Sequence, residues 1–304
     1  MRTFLSLLAC SALCACLSAL SPIYLDQEEA FRFLVIGDWG RNGQENQQDV
    51  ADQMGKFARQ NEPEFIINVG DNFYPNGVAS TEDPQWMMSF ENIYTDHALM
   101  VDWWSILGNH DYHGNPQAQI DYSKKSRRWR MPARYYTFAQ HGIRFVFLDT
   151  NPFLKKYVEE AYDYADVAKQ DTQKQLLWLD NVLKTSKEPW KIVVGHHPIY
   201  SAGKHGDTPE LIARLKPILE KHNVHAYFCG HDHDLQHHTP PDSKLHYFIS
   251  GAGSEVRNIK TRRDFTRFAA DQPGFAAVAM TKDSLIVQFV NAKGQMLYRT
   301  ARGK

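Results

Sequence analysis

Cysteine is scarce in this sequence, with four in 304 residues, at positions 10, 14, 16 and 229. The first three crowd into the N-terminus, which leaves Cys229 alone in the body of the chain. No disulfide can form within that body, so its stability must come from packing. Net charge is almost absent as well. Lys and Arg number 34 against 35 Asp and Glu, giving -1, which excludes a global attraction to nucleic acid or anionic membranes. No long apolar run follows residue 20, and that excludes a multi-span membrane protein. Internal repeats and low-complexity stretches are missing too. With 43% hydrophobic and 23% charged residues, the composition is that of a globular protein rather than a disordered or collagen-like one.

What is there begins with an apolar N-terminus. Met1 and Arg2 form a short positive start, and residues 3–20 (TFLSLLACSALCACLSAL) are apolar and rich in small side chains. The pattern predicts a secretory signal over 1–22. A membrane anchor is disfavoured, because the run only reaches the lower limit of roughly 17 to 25 residues for a span. Two processing routes stay open. Leu13-Cys14-Ala15-Cys16 matches a bacterial lipobox with Cys16 as the lipidated residue, whereas cleavage after Ala19 would release a soluble protein. Both routes make the protein exported: periplasmic, an outer-membrane lipoprotein, or secreted. The remainder, 28–304, shows no break in composition and is expected to form one domain.

One pattern recurs five times in that remainder. An apolar run of strand length stops at a glycine, and metal-ligand or acid–base residues follow at once. Residues 31–36 lead into Gly37-Asp38-Trp39-Gly40, 65–69 into Gly70-Asp71-Asn72-Phe73-Tyr74, and 103–107 into Gly108-Asn109-His110-Asp111. Residues 190–194 lead into Gly195-His196-His197-Pro198, and 225–229 into Gly230-His231-Asp232-His233-Asp234. Helical patterns at 47–60, 170–185 and 209–222 lie between these runs. Alternation of this kind argues for βαβ units with buried, largely parallel strands. The carboxyl ends of such strands face a common crevice, so the five motifs should converge. Further extended segments at 135–138, 143–148, 245–250, 275–280, 284–290 and 295–299, the last three joined by short polar turns, add antiparallel hairpins. The expected fold is α/β, with two packed mixed sheets and helices outside.

The gathered side chains are Asp38, Asp71, Tyr74, Asn109, His110, His196, His231 and His233. Alone, an Asp after a strand is ordinarily a turn or cap and a buried His a hydrogen-bonded core residue. Five such coincidences at strand ends are another matter. Oxygen and nitrogen donors without thiolate suit a pair of first-row ions such as iron, manganese or zinc.

The motifs GDWG, GDNFY, GNHD, GHHP and GHDH, in this order and spacing, resemble the metallophosphoesterase superfamily. Within it they are most similar to the small purple acid phosphatases, also called tartrate-resistant or type 5 acid phosphatases. The similarity extends to Gln119-Ile120-Asp121-Tyr122-Ser123-Lys124, Arg128-Trp129, Leu148-Asp149-Thr150, Leu235-Gln236 and Ser250-Gly251-Ala252-Gly253. It covers essentially the whole mature chain. Tyr74 is the most diagnostic residue, since most of the wider superfamily lacks a tyrosine at that turn. A phenol with an ordinary pKa near 10 needs a strongly acidic hard cation to bind as phenolate, and Fe(III) is the natural choice. The resemblance implies a four-layer α-β-β-α sandwich. It also implies that Asp38, Tyr74 and His233 hold Fe(III), that Asn109, His196 and His231 hold Fe(II), Zn(II) or Mn(II), and that Asp71 bridges both. His197 adjoins a ligand, but the family register places the ligand directly after the glycine, at His196.

Two cations about 3.5 to 4 Å apart acidify a bound water and neutralise the attacking and leaving oxygens of a phosphoryl group. The expected reaction is therefore direct attack of a metal-bound hydroxide on a phosphomonoester. The leaving oxygen needs a proton, and His110 is placed to supply it or to bind phosphate, with Asp111 to orient it. His205, in Gly203-Lys204-His205-Gly206, matches a second substrate-pocket histidine of the resembled family. Asp149, Asp232 and Asp234 read as supporting or turn residues, and Lys204 as a solvated loop lysine. Small phosphate monoesters or phosphoproteins are the expected substrates, acted on by a monomer. Phosphodiesters and nucleoside pyrophosphates are the alternative within the same chemistry. A non-catalytic binding module should have lost ligands, and here all seven positions are filled. The basic cluster Lys124, Lys125, Arg127, Arg128 and Arg130 around Trp129 reads as a solvated, partly amphipathic stretch rather than a nucleic-acid site; if it acts, it would steer polyanionic or phosphoprotein substrates. Mammalian members carry a disulfide and a protease-cleaved loop. Cys229 alone cannot form that disulfide, and 154–169 shows no processing site.

Overall fold

The structure, a computed structural model, describes residues 30–160 and 164–304. The signal expected over 1–22 and the lipidation site at Cys16 lie outside the described residues. The first half of the chain supplies strands β1 (Phe31–Ile36), β2 (Phe65–Asn68), β3 (Asp102–Ser105), β4 (Trp129–Arg130), β5 (Tyr136–Gln140), β6 (Ile143–Phe147) and β7 (Trp190–Val194). The second half supplies β8 (Ala226–Cys229), β9 (Leu235–His238), β10 (His246–Ser250), β11 (Thr266–Ala270), β12 (Gly274–Met280), β13 (Ser284–Asn291) and β14 (Met296–Gly303). They form two seven-stranded mixed sheets. The first has the order β14-β13-β12-β1-β2-β3-β4 and the second β11-β9-β10-β8-β7-β6-β5.

All five motif-bearing runs lie in the parallel part of a sheet. β1, β2 and β3 are parallel neighbours in the first, and β7 and β8 in the second. The C-terminal runs form the antiparallel hairpins read from their turns. The sheets face each other across an aromatic core, where the Phe33 and Phe65 rings meet Phe145 edge-on at 5.5 and 5.3 Å. Full burial of such a side chain contributes roughly 1.5 to 3 kcal/mol. Helix α1 (Gln47–Asn61) buries Val50, Met54 and Phe57, spaced for one face of a helix, and sets Phe57 against Phe275 of β12.

Three strands depart from the expectation. β4, β9 and β11 were not foreseen, because β4 is two residues long and β9 reads Leu-Gln-His-His, without an apolar alternation. The helix expected over 209–222 is broken into Pro209–Arg214 and Lys216–Lys221. Pro217 is the cause: it has no N–H to donate to the carbonyl of Ala213, and its ring crowds the preceding turn. No helix among the described residues is long and apolar enough to cross a membrane.

Candidate metal centre

Each motif leaves its strand through a tight turn, and backbone hydrogen bonds join the first turn to the second and the fourth to the fifth. Asp38 N–H donates to the Gly70 carbonyl at 3.0 Å, Tyr74 N–H to Gly40 at 2.8 Å, and Gly230 N–H to His196 at 2.9 Å. Asp38, Asp71 and His231 adopt left-handed backbone with φ of 59°, 50° and 69°. Non-glycine residues seldom sit there, and strain of this kind concentrates at functional sites. Glycine is required where the turns touch. A Cβ on Gly108 would fall 2.1 Å from Asp71 Oδ1, and one on Gly230 would fall 2.2 Å from Asp38 Oδ2.

The structure brings all seven expected metal ligands together. Tyr74 Oη lies 3.2 Å from Asp38 Oδ1, 3.0 Å from Asp71 Oδ2 and 3.0 Å from His233 Nε2. On the other side of Asp71, His196 Nε2 lies 3.4 Å from Asp71 Oδ1 and 3.3 Å from Asn109 Oδ1. The His231 ring is 5.1 Å from that of His196, and the His231 backbone N–H donates to the Asp38 carboxylate at 3.1 Å. Asp71 thus sits between two donor groups, one of Asp38, Tyr74 and His233 and one of Asn109, His196 and His231.

Histidines 196 and 197 are separated by their partners. His196 gives Nδ1 to the Val69 carbonyl at 2.8 Å, which leaves Nε2 aimed at the cluster, as metal-ligating histidines are oriented by an outer hydrogen bond. His197 spends Nδ1 on Thr150 Oγ1 at 2.8 Å and faces Tyr157 Oη with Nε2 at 3.3 Å. Its ring atoms still lie within 4.8 Å of ligand atoms of His196 and His231. The buried Nδ1 of His233 has no hydrogen-bond partner among the described residues and lies 3.7 Å from the Glu255 carboxylate.

The electrostatics call for cations. Burial raises Asp38 well above the ordinary carboxylate range, and the charge of Asp71 adds to this against the pull of His196. Burial would raise Asp71 too, but the His196 charge and hydrogen bond hold it below that range, and His196 is in turn carried up to about 9 against its own burial. Burial and both carboxylates push the Tyr74 phenol well above its usual value. A positive ion among these groups would relieve the carboxylate repulsion and is what could release the Tyr74 proton. The donor set therefore fits a metal pair.

A cleft of about 380 Å³ opens over the cluster, lined by Asp71, Asn109, His110, His205, His231 and His233 together with Lys156, Tyr157, Glu160, Tyr164, Lys204 and Arg257. The volume is at the low end for small-molecule sites. His110 anchors Nδ1 on the Pro75 carbonyl at 2.7 Å and packs its ring 4.6 Å from that of Tyr74. His205 donates its backbone N–H to Asp232 at 2.9 Å and tilts its ring over His231 at 4.2 Å. Its pKa is lowered by burial and, against Asp232, by the charges of Lys156, Arg257 and Lys204.

One expectation needs correction. Asp111 does not orient His110: it accepts the backbone N–H groups of Asn72 at 3.0 Å and Gly108 at 2.8 Å and the Gln119 amide at 2.8 Å, so it fixes the turns that carry Asp71 and Asn109. The basic segment 124–130 is partly amphipathic, as expected. Arg128 is buried over the Phe90 ring and bonded to Glu91 and the Tyr94 carbonyl, while Lys124, Lys125 and Arg130 pair with Asp121, Glu82 and Asp102. Asp149, Asp232 and Asp234 do act as supports, accepting hydrogen bonds from Asn151, Ser201 and Gln236. Sequence reasoning missed Arg41, whose guanidinium lies 3.9 Å over the Tyr74 ring, along with Lys156 and Arg257. No periodicity marks those positions.

Residues 31–235 match the calcineurin-like phosphoesterase family. The chain is 39% identical to purple acid phosphatase 17 of Arabidopsis thaliana over 285 residues, covering 90% of this chain and 84% of that protein. It belongs to the purple acid phosphatases. Rabbit (Oryctolagus cuniculus) tartrate-resistant acid phosphatase type 5 is 34% identical, with 88% of this chain and 90% of that one covered. Among solved structures, the purple acid phosphatase from yellow lupin seeds matches with a TM-score of 0.69 at 16% identity, covering 90% of this chain and 54% of that chain. GAP50, described as the anchor in the inner membrane complex of Plasmodium, matches at 0.79 with 24% identity, covering 90% and 89%. At these identities the structural likenesses speak to the fold, which is that of the metallophosphoesterases: two mixed sheets flanked by helices. Purple acid phosphatases are acid phosphatases with a dinuclear metal centre, and the two donor groups that share Asp71 lie where this fold brings its motif turns together.

Proposed function

We propose that this chain is an exported dinuclear-metal acid phosphatase that hydrolyses phosphomonoesters. The reading rests on one observation above all: two complete donor groups meet at Asp71 on the floor of a cleft that also presents His110 and His205. Asp38, Tyr74 and His233 would hold Fe(III); Asn109, His196 and His231 would hold a divalent iron, zinc or manganese; Asp71 would serve both. Such a pair, when bound, supplies an activated water and neutralises phosphoryl charge.

The protein's own groups do the rest. With Nδ1 fixed on the Pro75 carbonyl, His110 keeps Nε2 free to protonate the oxygen leaving phosphorus. His205, held by Asp232 and by its contact with His231, binds a phosphoryl oxygen. No serine or cysteine nucleophile is needed, in keeping with Cys229 being buried. Export is supported by the apolar stretch 3–20 and by a body whose one thiol is buried. Processing to a lipoprotein at Cys16 or to a soluble protein fits that stretch equally well.

The test compares 4-nitrophenyl phosphate with bis(4-nitrophenyl) phosphate at mildly acidic pH. Monoester turnover should exceed diester turnover by at least about tenfold, a difference of roughly 1.4 kcal/mol in transition-state stabilisation. Dominant diester hydrolysis would make the protein a phosphodiesterase, and turnover of neither would remove the enzymatic reading altogether.

A further inference from the structure

Tyr157 borders the cleft but takes no part in the metal floor or in the roles given to His110 and His205. It stands on the short helix Lys155–Glu159, is 3% exposed, and is held between the Tyr164 ring at 4.7 Å and Lys156 Nζ at 4.5 Å. Its hydroxyl meets His197 Nε2 at 3.3 Å. His197 packs its ring 4.5 Å from that of His231 and 4.8 Å from that of His196, which places Tyr157 on the side of the divalent ion's donors. His110, by contrast, rests on Tyr74 of the other donor group.

The direction of each hydrogen bond here follows from counting protons. The Thr150 hydroxyl has one proton and two acceptor positions. Both positions are filled, by the backbone N–H groups of His196 at 3.2 Å and His197 at 3.1 Å, so in the 2.8 Å contact with His197 Nδ1 it is Thr150 that donates. A neutral ring that accepts at Nδ1 carries its proton on Nε2. His197 therefore donates to Tyr157 Oη, and the Tyr157 hydroxyl keeps a proton for which the described residues offer no acceptor. A buried donor in that position is costly until something completes it. Burial, with the charge of Asp71 added, pushes the phenol well above its usual value, so it remains a donor at every pH where an acid phosphatase works.

Resting on the phosphatase reading above, we infer that Tyr157 is a substrate-binding residue whose hydroxyl donates to an oxygen of the bound phosphoryl group, with Thr150 and His197 as positioning residues that keep its proton turned to the cleft. Each group in the series donates to the next, from Thr150 through His197 and Tyr157 to the substrate. The last acceptor is charged, and hydrogen bonds to charged acceptors are roughly twice as strong as neutral ones.

The test measures orthophosphate binding to the metal-loaded full chain by calorimetry, with 4-nitrophenyl phosphate kinetics, metal content and Tm on the same samples. Tyr157→Phe keeps the ring and removes only the hydroxyl. It should bind orthophosphate about tenfold more weakly and lose kcat/KM by a similar factor, with metal content and Tm unchanged. In Thr150→Val the His197 proton can move to Nδ1, and the bare Nε2 then takes the Tyr157 proton. The same weakening should appear, Thr150→Ser should reverse it, and adding Tyr157→Phe to Thr150→Val should weaken binding no further. Wild-type phosphate affinity in Tyr157→Phe overturns the inference, as does a loss that comes with lost metal, which would place the effect in the floor. Additive losses in the double variant overturn the positioning role of Thr150 and His197. If the wild type hydrolyses 4-nitrophenyl phosphate and Tyr157→Phe matches it in binding and rate, the role of Tyr157 alone fails. If the wild type hydrolyses no phosphate ester, the phosphatase reading fails and the role of Tyr157 with it.

Discussion

Replacing Asp71 by Asn should abolish activity while leaving the fold intact. Asp71 puts one carboxylate oxygen toward each donor group, Oδ2 3.0 Å from Tyr74 and Oδ1 3.4 Å from His196. Altering an outer-shell partner of a metal typically costs 10- to 100-fold in affinity or activity, so losing the ligand that both ions are proposed to share should lower kcat/KM by on the order of 10³. The folded state should tolerate the change. Asn has the same shape, and its amide oxygen can still accept the His110 N–H that now reaches Oδ1 at 2.8 Å. Removing the charge also relieves Asp38 and Asp111, both of which Asp71 helps to push upward. Against this stands the loss of the Asp71–His196 ion pair, which would be costly if His196 kept its charge; burial favours the neutral ring once the Asp71 charge that raises its pKa is gone, so His196 releases its proton instead. Metal analysis, thermal melting of the metal-free proteins and steady-state kinetics separate the two effects. A variant that keeps two metals and the wild-type rate would show that Asp71 is not the shared ligand.

Substituting Gly108 by Ala should be nearly as damaging, although glycine carries no chemistry. The new Cβ would stand 2.1 Å from Asp71 Oδ1 and 2.2 Å from the Asp71 backbone nitrogen. One of those atoms is backbone, held in a left-handed turn, so the clash cannot be relieved by rotating a side chain. Overpacking of this sort costs about 1 to 3 kcal/mol. Here the strain falls on the Asp71 carboxylate and on the Gly108 N–H that bonds Asp111 at 2.8 Å. Gly303→Ala serves as the reference, since a Cβ there meets nothing within 4 Å. The expected result is a lower Tm, reduced metal content and activity lost by at least about 100-fold in Gly108→Ala, with none of these in Gly303→Ala. Equal behaviour of the two variants would mean that the close approach of the second and third turns is not what positions Asp71.

Much of this site could be read from sequence because strand ends are legible. An apolar run that stops at Gly and is followed by Asp, Asn or His marks both the element and the side chain that leaves it, and parallel order brings those ends to one edge. Asp38, Asp71, Asn109, His196 and His231 were each found in this way, and Tyr74 and His233 follow within the same turns. The rest of the cleft obeys no such rule. Lys156 stands on a helix of five residues and Arg257 in a segment without regular structure. Their direction toward the cleft is set by tertiary packing. The role of Asp111 was misread because adjacency to His110 suggested contact, whereas the 3₁₀ turn His110–His113 points the two side chains apart. β9 was hidden by its polar composition. Gln236 and His238 are buried yet bond each other at 2.6 Å, so the strand needs no apolar pattern to be interior.

The central claim is that a tyrosine-bound Fe(III) and a divalent ion share Asp71. A visible absorption spectrum with metal analysis of the same sample, for the wild type and for Tyr74→Phe, tests it most directly. The wild type should hold about two metals per chain, one of them iron, and show a broad tyrosinate-to-Fe(III) band that the variant lacks. A colourless wild type that binds two zinc or manganese ions and still hydrolyses phosphate esters would keep the fold and the chemistry but contradict iron and the role of Tyr74.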